Sequence, residues 1–230
     1  MIVMYTLRRE GSRLVGPINK WVYASFSPKE HAFKMARLEA NKRGFVDGSG
    51  KKIQLVTDGD NDLALYGAKY FPTAEHTIDF WHVVEYLWDA GRGLFTEGSK
   101  PLRAWVKQLE RDLFEGRIDE ILDELRRRLA SIPKTGPGNK GRRERVSDAL
   151  NYIGKRRDHI DYGRLRRRDM EISTGPIEGA IKYIIGRRQD QGQSGVSLGS
   201  IIETADADKL SRFHFVSVAR EHKELNPEFA

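Results

Sequence analysis

The order of the apolar runs along the chain constrains the fold more than any other feature. Runs rich in β-branched and aromatic residues come first, and each is typical of a short strand. These runs are 2–7, 20–26, 53–57 and 76–80. Apolar residues at three-four spacing follow, starting at Leu102 and again at Ile118, and predict two amphipathic helices that form an antiparallel pair. The order therefore predicts an α/β core that carries a helical insertion.

Cap and turn residues place the helix boundaries. Ser27, Pro28 and Glu30 are typical of a helix start, and Gly44 is typical of its end. The Gly- and Pro-containing segment 133–141 predicts a linker. Further helices are predicted near 61–70, 82–90 and 142–168.

Two classes of protein do not fit the composition. The chain has no cysteine, which excludes disulfide frameworks and Cys-based zinc sites. No apolar run approaches the roughly 20 residues that a membrane helix needs, and no signal-peptide pattern opens the chain. We expect a cytoplasmic protein without a membrane partner.

Positive charge is concentrated in one part of the chain. The whole chain has a net charge of +7, whereas residues 126–168 hold twelve Arg and three Lys against four acidic residues. A stripe of this kind favours a polyanionic partner, either DNA or RNA. The alternative is a solvated helical surface whose Arg residues pair with acids elsewhere.

Four residues with catalytic chemistry lie where elements meet. Asp58 directly follows the strand 53–57, Asp79 and His82 lie between a strand and a helix, and Glu178 lies at a helix start. Functional groups collect at the carboxyl ends of strands in open α/β sheets. Each residue also has a structural interpretation. Asp58 fits a turn, Asp79 a helix cap, His82 a first-turn surface or satisfied core position, and Glu178 complements a helix dipole.

The order of the motifs around these residues is specific. Val-Thr-Asp58-Gly-Asp, then Ile-Asp79-Phe-Trp-His82, and finally Ser-Thr-Gly-Pro-Ile-Glu178-Gly resemble the transposases of the Kra-type insertion-sequence family, which is related to the Mutator-like transposases. The resemblance covers roughly residues 1–190. It implies an RNase H-like mixed sheet with a helical insertion, metal-dependent DNA strand cleavage and transfer, and a D-x-x-H motif formed by Asp79 and His82.

The resemblance also implies roles for these residues. Asp58 matches the second catalytic Asp and Glu178 the third acid, both as ligands of Mg²⁺ or Mn²⁺, while Asp79 and His82 support the site. Two such ions can activate the nucleophile and stabilise the leaving oxygen, and they prefer carboxylate ligands. The expected partner is double-stranded DNA, at the transposon ends and at the target, in a protein that is nucleoid-associated and forms a homo-oligomer.

Basic residues of the insertion and of the Glu178 helix are expected to contact DNA phosphates. They are Arg126, Arg127, Arg128, Arg142, Arg143, Arg145, Lys155, Arg156, Arg157, Arg166, Arg167, Arg168, Lys182, Arg187 and Arg188.

The chain departs from the family pattern at both ends. The family's first catalytic Asp lies on a strand upstream of 2–7, but the only Asp before residue 58 is Asp47, in a glycine-rich loop. We therefore expect a truncated chain without its first strand, which binds metal weakly and is inactive alone. Beyond about residue 190, Gly192, Gly195 and Gly199 disfavour the expected helix, so a frameshift and a poorly packed tail are predicted there.

The predicted divisions of the chain follow from these boundaries. They are a catalytic core at 1–82, a basic helical insertion at 83–170, a helix with the third acid at 171–190, and an atypical tail at 191–230. Two alternatives stay open: a non-catalytic DNA-binding transposase remnant, and an unrelated Arg-rich helical protein that binds RNA.

Overall fold

A computed structural model describes residues 2–10, 13–46, 48–173 and 212–217 of the chain. The chain divides into two compact units. Unit 1 comprises residues 1–74 and 176–230, and unit 2 comprises residues 75–175. Unit 2 is therefore an insertion within the sequence of unit 1, and it begins eight residues before the predicted boundary at 83.

Unit 1 contains a mixed sheet, so the predicted α/β class is confirmed. Its strands are β1 (Ile2–Glu10), β2 (Arg13–Tyr23), β3 (Lys52–Thr57) and β5 (Arg212–Ser217). They lie in the order β2-β1-β5-β3. β1 is antiparallel to β2 and to β5, whereas β5 is parallel to β3.

The first two strands are longer than predicted. The sequence predicts strands at 2–7 and 20–26, because Gly16 and Pro17 read as loop residues. In the structure both residues lie inside β2, where the register with β1 shifts on either side of Thr6. Such an irregularity and a position at the sheet edge let a strand include a proline, which cannot donate a ladder hydrogen bond.

Two helices pack with the sheet of unit 1. They are α1 (Lys29–Lys42) and α2 (Asn61–Tyr70), and both match their predictions closely. The N-cap of α1 is Pro28 rather than Ser27, and no side chain caps it. Phe33 and Leu63 pack in one buried cluster with Ile2, Met4 and other side chains, while a smaller cluster contains Val3 and its neighbours. Alternate residues of β1 thus contribute to two separate clusters.

Unit 2 is helical apart from one short strand. Its elements are β4 (Glu75–Ile78), α3 (Phe80–Leu94), α4 (Lys100–Glu115), α5 (Ile118–Ser131), α6 (Asn139–Lys155), a 3-10 turn (Arg157–His159) and α7 (Tyr162–Arg167). Side chains from all five helices form one continuous core. Tyr162 is fully buried in it and donates a 2.9 Å hydrogen bond to the carbonyl of Ile78.

Turn geometry explains where the helices of unit 2 stop. Gly116 has a φ of +82° between α4 and α5, and a Cβ there would lie 2.6 Å from Oδ1 of Asp161, so only glycine fits. The region 142–168, predicted to be helical, contains most of α6, a 3-10 turn and α7. Asp161 caps α7 by accepting a 2.9 Å hydrogen bond from the amide of Arg164, which starts a new helix there.

The tail predicted at 191–230 is described only at 212–217. This segment is β5, which lies between β1 and β3 and pairs with both. For these six residues the structure differs from the predicted poorly packed tail, because cross-strand pairing places them within the sheet. None of the helices in the described part of the chain is long and apolar enough to span a membrane.

Candidate functional site

Asp58 lies at the carboxyl end of β3, as predicted, and its side chain is half-buried. Gly59 has a φ of +83° and donates a 3.2 Å hydrogen bond to Oγ1 of Thr57. Oδ1 of Asp58 accepts a 3.1 Å hydrogen bond from the amide of Asp60. The turn therefore holds the Asp58 carboxylate at the edge where functional groups of α/β sheets collect.

The two acids that follow Asp58 have structural partners. Asp60 caps α2 by accepting from the amide of Asp62, and its carboxylate lies 2.6 Å from Nζ of Lys29. Burial raises the pKa of Asp60, but the hydrogen bond and charge of Lys29 together with hydrogen bonds from backbone amides outweigh burial, so the pKa lies below its ordinary value. Asp62 lies 3.5 Å from the same ammonium group. Asp60 and Asp62 thus fasten α2 to the start of α1.

The strand beside β3 brings a second carboxyl end to the same edge. β5 runs parallel to β3, with Val216 opposite Val56, so the carboxyl ends of the two strands point the same way. β5 has the sequence RFHFVS, which contains no acidic residue.

The other predicted metal ligand, Glu178, lies outside the described residues, as do Lys182, Arg187 and Arg188. Among the residues that are described, no group of three or more His, Asp or Glu side chains could hold a metal ion. Lys29 pairs with both Asp60 and Asp62, so these two acids have a structural role beside Asp58. The described part of the chain does not by itself form a binding set for Mg²⁺ or Mn²⁺.

Asp79 is the N-cap of α3. Its Oδ1 accepts hydrogen bonds from the amides of Trp81, at 2.8 Å, and His82, at 3.2 Å. The side chain is buried, and the cap satisfies two amides that have no partner within the helix. The cap also explains why β4 ends at Ile78 and α3 begins at Phe80, each about two residues before its predicted boundary.

His82 lies in an aromatic group between α3 and α6. Its ring makes edge contacts with Tyr86 and Tyr152, whose own rings stack with their centroids 3.8 Å apart. Nδ1 of His82 lies 3.2 Å from a carboxylate oxygen of Glu85. This half-buried position gives His82 a packing role in unit 2, where the sequence predicted a supporting residue.

Many of the predicted DNA contacts are paired with acids. On α5, Arg126 lies 2.7 Å from Asp123, while Arg127 and Arg128 each lie 2.8 Å from Glu124. Burial raises the pKa of Glu124, but the hydrogen bonds from Arg128 and Trp105 and the charges of Arg128 and Arg127 together outweigh burial and hold the pKa below its ordinary value. The Arg triplet of α5 therefore fits the solvated-surface alternative better than phosphate binding.

The basic residues around α6 serve varied contacts. Arg142 and Arg143 donate to backbone carbonyls at the ends of α3 and α5, and Arg156 lies 4.2 Å above the ring of Tyr152. Arg145 reaches Asp89 at 4.0 Å and Arg157 reaches Asp119 at 3.0 Å. Lys155 is exposed and has no ionic partner within the described ranges. These contacts stabilise helix ends and leave fewer free cations than the sequence count suggests.

The second Arg triplet is different. Arg168 lies 2.8 Å from Glu75, which also pairs with Arg164. Arg166 and Arg167 are exposed, and neither has an acidic partner among residues 2–10, 13–46 and 48–173. Of the two triplets, the second therefore keeps two cations available for phosphate groups.

Two exposed aromatic side chains of unit 2 were not predicted from the sequence. Trp81 is 55% exposed and Phe114 is 39% exposed. A signal for Trp81 exists in the sequence, since the buried stripe of α3 is Phe80, Val83, Val84 and Leu87, and Trp81 lies one position off that stripe. Phe114 likewise follows the last buried leucine of α4.

No protein-family model, no curated protein and no solved structure matches this chain.

Proposed function

We propose that this chain is the catalytic region of a DDE-type transposase with an RNase H-like fold. The observation that carries the proposal is the division of the chain: a helical unit, 75–175, is inserted into the sequence of a unit that contains a mixed sheet. The insertion falls between Asp58 and Glu178. That is the interval in which the family resemblance implies a helical insertion.

The sheet supports the same proposal. Asp58 lies at the carboxyl end of β3, and the neighbouring strand β5 is parallel to it. Parallel neighbours bring their carboxyl ends to one edge, so this geometry suits acids that must converge from different parts of a chain. An RNase H-like site needs such an edge.

The proposed chemistry is cleavage and transfer of DNA strands. Bound Mg²⁺ or Mn²⁺ would stabilise the attacking and leaving oxygens, with Asp58 and Glu178 as the carboxylates that the resemblance assigns. Hydrogen bonds within the turn after β3 fix the position of Asp58. The other contribution of this chain is to bind and orient DNA, through cations such as Arg166 and Arg167. Binding of this kind would associate the protein with the nucleoid, and a homo-oligomer would engage two transposon ends.

The chain as given should bind duplex DNA without cutting it. Only two of its acids, Asp58 and Glu178, match the family's three, so we expect weak metal binding and no nicking. Gel-shift titration and a plasmid-nicking assay with Mn²⁺ test this expectation. Asp58→Asn is the matched variant, because the amide keeps the acceptor of the Asp60 hydrogen bond.

The results separate the alternatives. The proposal predicts duplex binding without nicking, and this binding should be unchanged in Asp58→Asn. Weak Mn²⁺ binding that is lost in Asp58→Asn distinguishes a catalytic region from a non-catalytic remnant. Efficient nicking that Asp58→Asn abolishes contradicts the expectation of an inactive chain. A strong preference for single-stranded RNA over all DNA favours the RNA-binding alternative instead.

A further inference from the structure

Two exposed aromatic side chains of unit 2, Trp81 and Phe114, share a buried neighbour. Both rings contact Phe80, with centroids 5.2 Å and 6.1 Å from that ring and with edge-on geometry. Phe80 is buried in the core of the unit and its ring also packs edge-on against Tyr162. A buried ring thus fixes two exposed rings in place. We define the stacking surface as Trp81, Phe114 and Arg166.

The backbone under Trp81 is equally well fixed. Trp81 lies in the first turn of α3, and its amide donates to the Asp79 carboxylate at 2.8 Å. The amide of the preceding Phe80 donates 2.8 Å to the carbonyl of Ile172. Trp81 is therefore a rigid side chain that is more than half exposed, although tryptophan is usually largely buried. A rigid, exposed aromatic face is suited to stacking with a planar ligand.

A cation accompanies the exposed rings. The guanidinium carbon of Arg166 lies 3.6 Å from the centroid of the Phe114 ring, and Nη1 donates 3.3 Å to the carbonyl of Phe114. Glu115, the acid next to Phe114, pairs with Arg117. Arg167 is exposed and has no acidic partner within the described ranges. The surface is thus positive as well as aromatic, which disfavours a purely apolar partner.

We propose that the stacking surface binds unpaired bases of single-stranded DNA. Aromatic rings stack on any base, and Arg adds charge attraction to the backbone, so the combination binds single strands with little sequence preference. Paired bases inside a duplex do not offer their faces in this way. The inference rests on the proposed function. It assigns binding of single-stranded DNA to a protein that is also expected to bind duplex DNA.

Intrinsic fluorescence of the full chain gives a direct test. Single-stranded oligothymidine should quench tryptophan fluorescence, whereas an abasic oligonucleotide of equal length and charge should quench it much less. Trp81→Ala should weaken oligothymidine binding by roughly tenfold or more, since stacking contributes about 1–3 kcal/mol per base. Trp81→Tyr should restore most of that affinity. Phe26→Ala is the control, because Phe26 is a fully exposed aromatic residue of unit 1.

Each outcome has one meaning. Circular dichroism of Trp81→Ala should match that of the parent protein, since the side chain is largely outside the core, and Trp81→Tyr gives a second readout if it does not. Equal oligothymidine affinity in Trp81→Ala, Trp81→Tyr and the parent protein overturns the stacking surface while duplex binding persists. Equal quenching by the abasic oligonucleotide overturns it as well. If the parent protein binds no form of DNA, the proposed function itself is overturned.

Discussion

The two units hold their folds together in different ways. In unit 2 one continuous core joins five helices that follow one another closely in sequence. In unit 1 the buried side chains form two separate clusters, and the sheet places β5, from residues 212–217, between β1 and β3. Local contacts need little loop closure, whereas the pairing of β3 with β5 joins residues 160 positions apart and needs much more.

The contrast indicates which unit is suited to DNA binding and which to holding the carboxylates. A helical unit with a single core offers a rigid support for surface residues, such as Trp81 and the cations of α7. A sheet that combines distant segments can bring together acids that lie far apart in the chain. The proposed division of labour, binding in unit 2 and carboxylates in unit 1, follows these physical differences.

The strongest test of the single core is a cavity at its centre. Leu125 is fully buried there, so Leu125→Ala should lower the free energy of unfolding by about 2–5 kcal/mol. Urea denaturation followed by helical circular dichroism measures the change. Leu38→Ala, at an exposed position of α1, is the control and should change it by less than about 0.5 kcal/mol. A loss below 1 kcal/mol for Leu125→Ala would mean that the core is not continuous there.

A second test uses His76, a titratable residue of unit 2. Burial, together with the nearby charges of His159 and Arg156, lowers the pKa of His76 to about 4. The unfolded chain binds this proton near pH 6.5, so its contribution to stability is complete above that pH and is lost as pH falls towards 4. The loss is at most about 3 kcal/mol.

The matched variant for this pH dependence is His76→Phe. A phenyl ring keeps a ring contact with His159, whose centroid lies 4.7 Å from that of His76, but it cannot take up a proton. Urea denaturation at pH 4, 5, 6 and 7 should show a flatter dependence for His76→Phe than for the parent protein. Identical profiles would show that His76 does not couple to folding.

A smaller effect separates capping from chemistry at Asp79. Asp79→Ala removes the acceptor of two amides and should lower the free energy of unfolding by about 1 kcal/mol. Asp79→Asn keeps an acceptor and should lower it by less. If DNA binding follows stability in both variants, Asp79 acts as a cap. A loss of DNA binding in Asp79→Asn at unchanged stability would instead give the residue a direct role.

Much of this fold is predictable because local patterns agree with it. The helix at Asn61–Tyr70 and the strand ending at Thr57 appear where periodicity and turn residues place them. The two amphipathic helices of unit 2 likewise follow from their apolar spacing. The extension of β2 through Gly16 and Pro17 was not predictable, because an edge position and a register shift are properties of the sheet and not of the segment.

The site was predictable only in part for a similar reason. The location of Asp58 after a strand is local, and so is the capping sequence at Asp79. Whether an arginine pairs with an acid depends on its neighbours in space: the triplet at Arg126 pairs with acids, whereas Arg166 has no acidic partner among the described residues. The charge count could not distinguish them. The exposed side chain of Trp81 required knowing which face of α3 is buried.

The most direct test of phosphate binding by the cations of α7 is the salt dependence of duplex binding. Arg166→Ala with Arg167→Ala and Arg126→Ala with Arg127→Ala remove equal charge, but only the first pair lacks acidic partners among the described residues. We expect the first double variant to flatten the slope of log affinity against log salt by roughly 2, since each phosphate contact contributes about 0.9. The second should leave the slope unchanged. Equal slopes in the parent protein and the two double variants would contradict phosphate binding by Arg166 and Arg167.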